Sequence, residues 1–321
     1  MDEHIGGYKK MKTLAIVIPA YKVTFFECTI ASIAKQTCKD FTLYVGNDCS
    51  SPEIGDIVQK YIDHIDIVYH YFDTNLGGVN LVAQWKRCIE LTQGEEWVWL
   101  FSDDDIMGER CVELFIQEVK KNKFDIYHFN VREIDGRGLE TGRVSCFPEI
   151  TTSFFFYKER MLGRMISMVV ENIFSLEIYE KENGFQDFDL AWTSDDASWI
   201  KFMRNGGMKT ILGDSVYWRN SIENITPNIS PAFEERKLNS LLHFYEWILA
   251  VLDYEKKWKL IIINFIGYIK RIRLASVNVD MIFLRKNVYQ FAKMHKMIIL
   301  VPFILCFVGL NKYVHKLIFR R

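Results

Sequence analysis

A chain of 321 residues that is 49% hydrophobic and 15% aromatic can bury a large core, which excludes intrinsic disorder and leaves room for one catalytic domain plus an appendage. Its seven cysteines include no CxxC pair, and its seven histidines no HExxH or other ligand spacing, so a disulfide framework and a zinc site are excluded and a reducing compartment fits. The net charge of −1 conceals a division, because the residues from Lys256 onward carry +13 and the remainder −14.

The start, MDEHIGGYKKMK, has no apolar stretch and does not read as a signal peptide. Thr13 to Tyr21 (TLAIVIPAY) and Phe41 to Asp48 (FTLYVGND) are β-prone apolar runs, and Phe25 to Gln36 between them spaces its apolar residues as a helix does. Together they predict a β-α-β unit. Ile65 to Phe72 predicts a further strand and Val79 to Leu91 a helix. Trp97 to Phe101 is apolar without alternation, as expected of a parallel strand covered on both faces. The succession predicts a doubly wound α/β sheet, whose ligands bind outside the carboxyl ends of its strands.

Asp103, Asp104 and Asp105 stand at such an end. In extended chain Asp103 and Asp105 point to one side and Asp104 to the other, so one side can hold a hard divalent cation through one or two carboxylates. The competing reading is an Asp-rich turn leading into a helix near Gly108. Beyond it, Phe124 to Val131 predicts a strand, Glu133 to Gly142 an exposed turn, and Thr151 to Met168 an aromatic helix whose Phe154 to Tyr157 cluster reads mainly as core. A helix from Ser194 to Arg204 carries Asp195 and Asp196 in its first turn, where they suit the helix dipole and where Ser194 can cap. Residues 224–231, with two prolines, mark a boundary that divides a catalytic domain, 1–225, from a basic, apolar helical region, 226–321.

IVIPAY at Ile16 to Tyr21, QTCKDFTLYVGNDCS at Gln36 to Ser50, NLG at Asn75 to Gly77, SDDD at Ser102 to Asp105 and SDDASW at Ser194 to Trp199 form an ordered set. Over about residues 11 to 225 the chain resembles the family 2 glycosyltransferases of the GT-A fold, inverting enzymes that use nucleotide-diphospho-sugars. The resemblance implies that Tyr21 lies against the nucleobase, that Pro19 and Ala20 line its pocket, and that Asp48 accepts from a base N–H. It implies that Asn75 and Asp103 border the nucleotide, that Asp104 faces its ribose or sugar, and that Asp105 ligates Mg²⁺ or Mn²⁺ with Asp103 as the other arm. It makes Asp195 and Asp196 the acidic pair whose second member is the catalytic base. A carboxylate there removes the acceptor hydroxyl proton, and the cation holds the charge of the leaving diphosphate.

Departures from the family pattern are specific. The usual Arg-Asn pair after NLG is absent, and Asn80, Gln84, Trp85 and Arg87 occupy that region. In the late segment Trp218 to Thr226 (WRNSIENIT), Asn220 stands where a histidine is common, and Arg219 offers a forked charge for diphosphate. No Gln-x-x-Arg-Trp signature of processive relatives occurs, which favours single addition. A sugar nucleotidyltransferase would want a Gly-rich phosphate loop after the first strand, which IPAYKVTFFE lacks. A non-catalytic nucleotide-sugar-binding protein would not need Asp195 and Asp196.

The tail alternates basic residues with the apolar runs Leu260 to Ile269 and Met297 to Leu310. This composition suits an anionic membrane surface and argues against nucleic acid, whose ligands expose their charge on a polar face. A helical cap on the catalytic domain, or on a second subunit in a homo-oligomer, is the competing account. The run from Met297 to Asn311 is 15 residues long, short of the ~18–20 that span a bilayer, so lying in the interface is expected rather than crossing. Relatives' lipid-linked acceptors imply a cytoplasmic enzyme, peripheral on the inner face of the cell membrane, that acts on a saccharide or lipid-linked acceptor in surface polysaccharide biosynthesis.

Overall fold

The computed structural model describes residues 12–121, 123–204, 206–221, 223, 228–252 and 257–319. The N-terminal MDEHIGGYKKM and positions 224–227 of the expected boundary lie outside the described residues.

In chain order the elements are β1 (Leu14–Ala20), α1 (Phe26–Ala34), β2 (Phe41–Asn47), α2 (Glu53–Gln59), β3 (Ile67–Tyr71), α3 (Leu81–Ile89), β4 (Trp97–Leu100), β5 (Ile106–Met107), α4 (Cys111–Val119), β6 (Ile126–Ile134), β7 (Glu140–Ser145), β8 (Ile150–Thr151), α5 (Ser153–Met161), β9 (Asn172–Ser175), α6 (Leu176–Lys181), α7 (Ser194–Phe202), β10 (Met208–Arg219), α8 (Pro231–Val251), α9 (Lys257–Ala275), α10 (Met281–Met294) and α11 (Val301–Phe319). One mixed sheet runs β3-β2-β1-β4-β9-β6-β10-β5. β3, β2, β1 and β4 are parallel, and β9 is antiparallel to both its neighbours. Residues of β1 and β4 pack into two separate apolar clusters, as strands covered on both faces do. The carboxyl ends of β1, β2 and β4 therefore share one rim, at Tyr21, Asp48 and Asp103 to Asp105.

Local chemistry sets the helix ends. Asn80 Oδ1 accepts from Ala83 N at 2.8 Å to start α3, and Ser175 Oγ accepts from Ile178 N at 3.1 Å to start α6. Ser194 does not cap α7 as expected. It is the first helical residue, and its hydroxyl accepts from Phe188 N at 2.8 Å instead, which ties the preceding loop to the helix. The helix expected over Thr151 to Met168 stops at Met161, because Gly163 turns the chain at φ 66°. Phe156 and Tyr157 of that helix are fully buried, in agreement with core. The turn expected at Glu133 to Gly142 is the tip of the β6–β7 hairpin.

The C-terminal helices pack onto the sheet domain and share its core. Phe244 of α8 lies 6.1 Å from Tyr157 and 6.0 Å from Phe188, ring to ring. α11 departs from expectation because the helix continues past Lys312 to Phe319. The stretch Ile298–His315, which begins in the helical turn just before α11, is 18 residues, long and apolar enough to cross a bilayer by length and composition, and only 11% of it is buried. Ile304 and Val308 face the protein, while Pro302, Phe303, Cys306, Phe307, Leu310, Tyr313 and Val314 are exposed and none of them is charged.

Candidate active site

The expected alternation of the acidic cluster does not occur, because the chain bends at Asp103 and Asp104 and turns both toward Lys22. Lys22 Nζ lies 3.3 Å from Asp103 Oδ1 and is hydrogen-bonded to Asp104 Oδ2, which also has Ser102 Oγ as a neighbour through Oδ1. Asp103 Oδ2 accepts from the backbone N–H groups of Tyr21 and Lys22 at 2.8 and 2.7 Å. Asp103 thus fastens the loop after β1 to the loop after β4. Asp105 Oδ1 accepts from Arg219 N at 2.7 Å.

Burial, followed by the charge of Asp104, holds the Asp105 carboxyl well above the usual range, and burial also raises Asp103. For Lys22, burial works the other way but the two aspartates outweigh it and raise its pKa. Among the described residues no group of three His, Cys, Asp or Glu side chains is arranged to hold a metal by itself. The three buried carboxylates face the Lys22 ammonium with the Arg219 guanidinium behind them, and the raised Asp105 carboxyl fits a place where a divalent cation, held by one or two carboxylates and completed by a diphosphate, would take over from the proton.

Arg219, expected to contact diphosphate, is buried. Its Nε donates to Asp104 O at 2.8 Å, its Nη1 to Asp135 O at 3.1 Å, and its guanidinium lies 4.3 Å over the Phe25 ring. It braces the acidic loop from behind and does not line either cavity of the site.

Around this rim lies a cavity of about 720 Å³ lined by Pro19, Tyr21, Lys22, Asp48, Asn75 and Asp103 to Asp105, with Trp85, Trp218 and Asp195. Ala20 is fully buried behind it. Tyr21 is 53% exposed, as a stacking platform must be. Asp48 accepts from Leu76 N and Gly77 N at 2.7 and 2.8 Å and is paired with Arg87, which also donates to Thr74 O at 2.8 Å. Gly77 is required there, since a Cβ would stand 2.6 Å from Asp48 Oδ2. Asn75 Oδ1 accepts from Gly78 N at 2.7 Å and shapes the same loop. Asp48 and Asn75 accordingly build the rim as well as border it.

A second cavity of about 600 Å³ adjoins the first. Asp195 lines both, as do Leu81, Trp85, Met168, Val169 and Trp218, and among the described residues it is the only ionisable one common to the two. Its Oδ1 accepts from Asp196 N at 2.9 Å, and burial, followed by the charge of Asp196, pushes its carboxyl up to about 7. Asp196, expected as the base, is otherwise engaged. Arg160 Nε and Nη2 donate to its two oxygens at 2.7 and 2.9 Å in a buried bidentate pair. Of the pair, Asp196 is thus held by an ion pair and Asp195 faces the cavities.

The loop before α7 is held in an unusual backbone. Leu190, Ala191 and Thr193 have φ of 60°, 50° and 68°, and together with Trp192 they line the second cavity. Two residues that brace the site, Arg160 and Glu171, lie near no motif of the sequence, so nothing in it points to them. Glu171 accepts from Ser167 Oγ at 2.6 Å and Met168 N at 2.7 Å, and burial raises it to about 8.

The sequence profile described as Glycosyl transferase family 2 matches residues 15–176. The chain is 24% identical over 232 residues to the uncharacterized glycosyltransferase EpsJ of Bacillus subtilis, covering 69% of this chain and 65% of that one. It is 21% identical over 212 residues to the poly(ribitol-phosphate) beta-N-acetylglucosaminyltransferase TarS of Staphylococcus aureus, covering 65% of this chain and 35% of TarS. The chain thus spans just under two thirds of EpsJ and about a third of TarS. The crystal structure of TarS 1-349 superposes with a TM-score of 0.65 at 14% identity, covering 94% of this chain and 88% of that one. A mannosyltransferase of Pyrobaculum calidifontis, solved with GDP-Man and Mn²⁺, gives 0.51 at 12% identity, covering 95% and 88%. The fold is that of these GT-A enzymes.

Proposed function

The chain belongs to glycosyl transferase family 2, and from that premise we propose that it moves one sugar from a nucleotide-diphospho-sugar to a hydroxyl of a saccharide or lipid-linked acceptor, with inversion, in surface polysaccharide assembly. The observation that carries this reading is the position of Asp195, among the described residues the one ionisable side chain lining both cavities. The cavity rimmed by Tyr21, Asp48 and the acidic cluster takes the donor, and the cavity beyond Asp195 takes the acceptor.

Asp195 acts as general base. With its carboxyl near 7, it accepts the hydroxyl proton as that oxygen bonds to the anomeric carbon and the bond from that carbon to the diphosphate oxygen breaks. Asp196 and Arg160 position it through the first turn of α7. Tyr21 stacks on the base, and Asp48 holds the loop that edges it. Asp105, with Asp103 beside it, would hold Mg²⁺ or Mn²⁺, which when bound offsets charge on the leaving diphosphate. Lys22 and the loop it closes carry the remaining positive charge to that rim. The uncharged exposed face of α11 and the basic C-terminal region support attachment at the cytoplasmic surface of an anionic membrane.

The test is donor hydrolysis across UDP, GDP and dTDP sugars with Mg²⁺ or Mn²⁺. One donor should be turned over by the wild type and not by Asp195→Asn. No turnover of any donor, or equal turnover by the variant, would remove the proposal.

A further inference from the structure

The donor cavity is lined by six acidic side chains, Asp48, Asp103, Asp104, Asp105, Asp195 and Glu223, and among the described residues by a single basic one, Lys22. We propose that Lys22 is an exchangeable cation: without donor its ammonium holds Asp103 and Asp104, and a bound diphosphate draws it away, so that those carboxylates take a divalent ion only together with the nucleotide. The inference rests on the reading of this cavity as the donor site and deepens it, since it gives Lys22 a part in binding both ligands.

Position supplies the first argument. Lys22 Nζ is hydrogen-bonded to Asp104 Oδ2 and lies 3.3 Å from Asp103 Oδ1. The Lys22 side chain is 25% exposed, whereas those of Asp103 and Asp104 are 5% and 4% exposed. The ammonium therefore covers the carboxylates on the side of the cavity, and an ion entering from there must displace it or sit against a like charge. The loop itself does not depend on the ammonium. Asp103 Oδ2 accepts from the backbone N–H groups of Tyr21 and Lys22 at 2.8 and 2.7 Å, bonds that a methionine at position 22 would keep.

The charge of the incoming group supplies the second. A nucleoside diphosphate brings negative charge into a cavity whose other ionisable lining residues are acids, and it needs a cation there. The neighbouring guanidinium groups are engaged elsewhere. Arg87 is paired with Asp48, and Arg219 donates to the backbone oxygens of Asp104 and Asp135 and lines neither cavity. Lysine suits an exchange better than arginine, being a compact charge on a flexible stem with no planar fork to fix its direction. Mg²⁺ and Mn²⁺ are held by few carboxylates together with substrate phosphates. One movement of Lys22 would then release the carboxylates just as phosphate oxygens arrive, and each ligand would strengthen the other by the same factor.

The test uses the full chain and two equilibrium measurements that need no turnover. Mn²⁺ binding without nucleotide is read from the electron paramagnetic resonance of the free ion, and binding of UDP, GDP and dTDP in EDTA by titration calorimetry. Lys22→Met should bind Mn²⁺ about tenfold more tightly than wild type and the preferred nucleotide about fivefold more weakly. Lys22→Arg, which keeps the charge, should stay within about threefold of wild type for the nucleotide and gain no Mn²⁺ affinity. Loss of folded protein would weaken both ligands, so it cannot produce opposite shifts. Mn²⁺ affinity unchanged or lowered in Lys22→Met overturns the exchange, as does an unchanged affinity for nucleotide. So does a wild type that binds none of the three nucleotides in EDTA, or the failure of both proteins to bind Mn²⁺. Opposite shifts without hydrolysis of any donor would instead leave Lys22 in this role and count against glycosyl transfer itself.

Discussion

The two cavities that meet at Asp195 are built in different ways. The cavity proposed for the donor is made by loops at the carboxyl ends of neighbouring parallel strands, and its polar side chains are tied to backbone N–H groups, as Asp103 is to Tyr21 and Lys22 and Asp48 is to Leu76 and Gly77. The cavity proposed for the acceptor is assembled from α5, the loop after it, α7 and the C-terminal helices, and its polar side chains are tied to one another as Arg160–Asp196 and Arg271–Glu234 pairs. Backbone-anchored carboxylates give a rim fixed by the sheet, suited to a ligand part common to many enzymes. Side-chain pairs on helices can change without disturbing the sheet, which suits a ligand that differs from one enzyme to the next.

The largest expected effect falls where the cavities join. Asp195→Asn should lower transfer about 10³-fold with the donor's Kd little changed, and Asp196→Asn should keep more activity, a comparison read by steady-state kinetics. Rates of the wild type should fall about tenfold per pH unit below about 7, as the Asp195 carboxylate takes up its proton. The stability sign is opposite. The folded-state pKa of Asp195 is raised above its unfolded value, so its contribution is fully present below about 4 and is lost as pH rises through about 7. Asp195→Asn should therefore melt higher than wild type at pH 8.

Breaking a side-chain pair on the acceptor side comes next. Arg160→Leu leaves Asp196 buried without its partner and should cost about 3 kcal/mol, measurable by denaturant unfolding. A smaller effect is expected on the donor side, where Tyr21→Ala removes an exposed stacking face and should raise the donor KM about tenfold while kcat changes little. The smallest lies outside both cavities. Phe303→Asp with Phe307→Asp on α11 should abolish flotation with anionic vesicles and leave donor hydrolysis in solution within about twofold; if the doubly substituted protein still floats, α11 is not the attachment surface.

The donor half was legible because apolar strands announce where they end, and residues just beyond those ends must share a rim. What failed there was detail, since the bend at Asp103 and Asp104 and the inward turn of Arg219 depend on partners 81 to 115 positions distant. The acceptor half was hardly legible. Arg160 reaches Asp196 across 36 positions and Arg271 reaches Glu234 across 37, and no periodicity encodes such pairs. Composition did show that the tail is basic and apolar, but not that it walls a cavity. The α11 boundary was misjudged because Lys312 reads as a stop, whereas its ammonium bends back to Val279 O at 2.6 Å and the helix goes on.

The loop that carries Trp192 has a cost with an evolutionary side. Leu190, Ala191 and Thr193 occupy a backbone region that side chains with a Cβ disfavour, at about 1 kcal/mol or more each. Glycine at Ala191 would relieve that penalty and should raise Tm, yet it would also free the indole to wander from Arg271 and Lys237, whose cations lie 5.6 and 4.8 Å from its centroid. Selection for heat resistance and selection for turnover would then pull this segment in opposite directions, and lineages kept under the second pressure should resist glycine here.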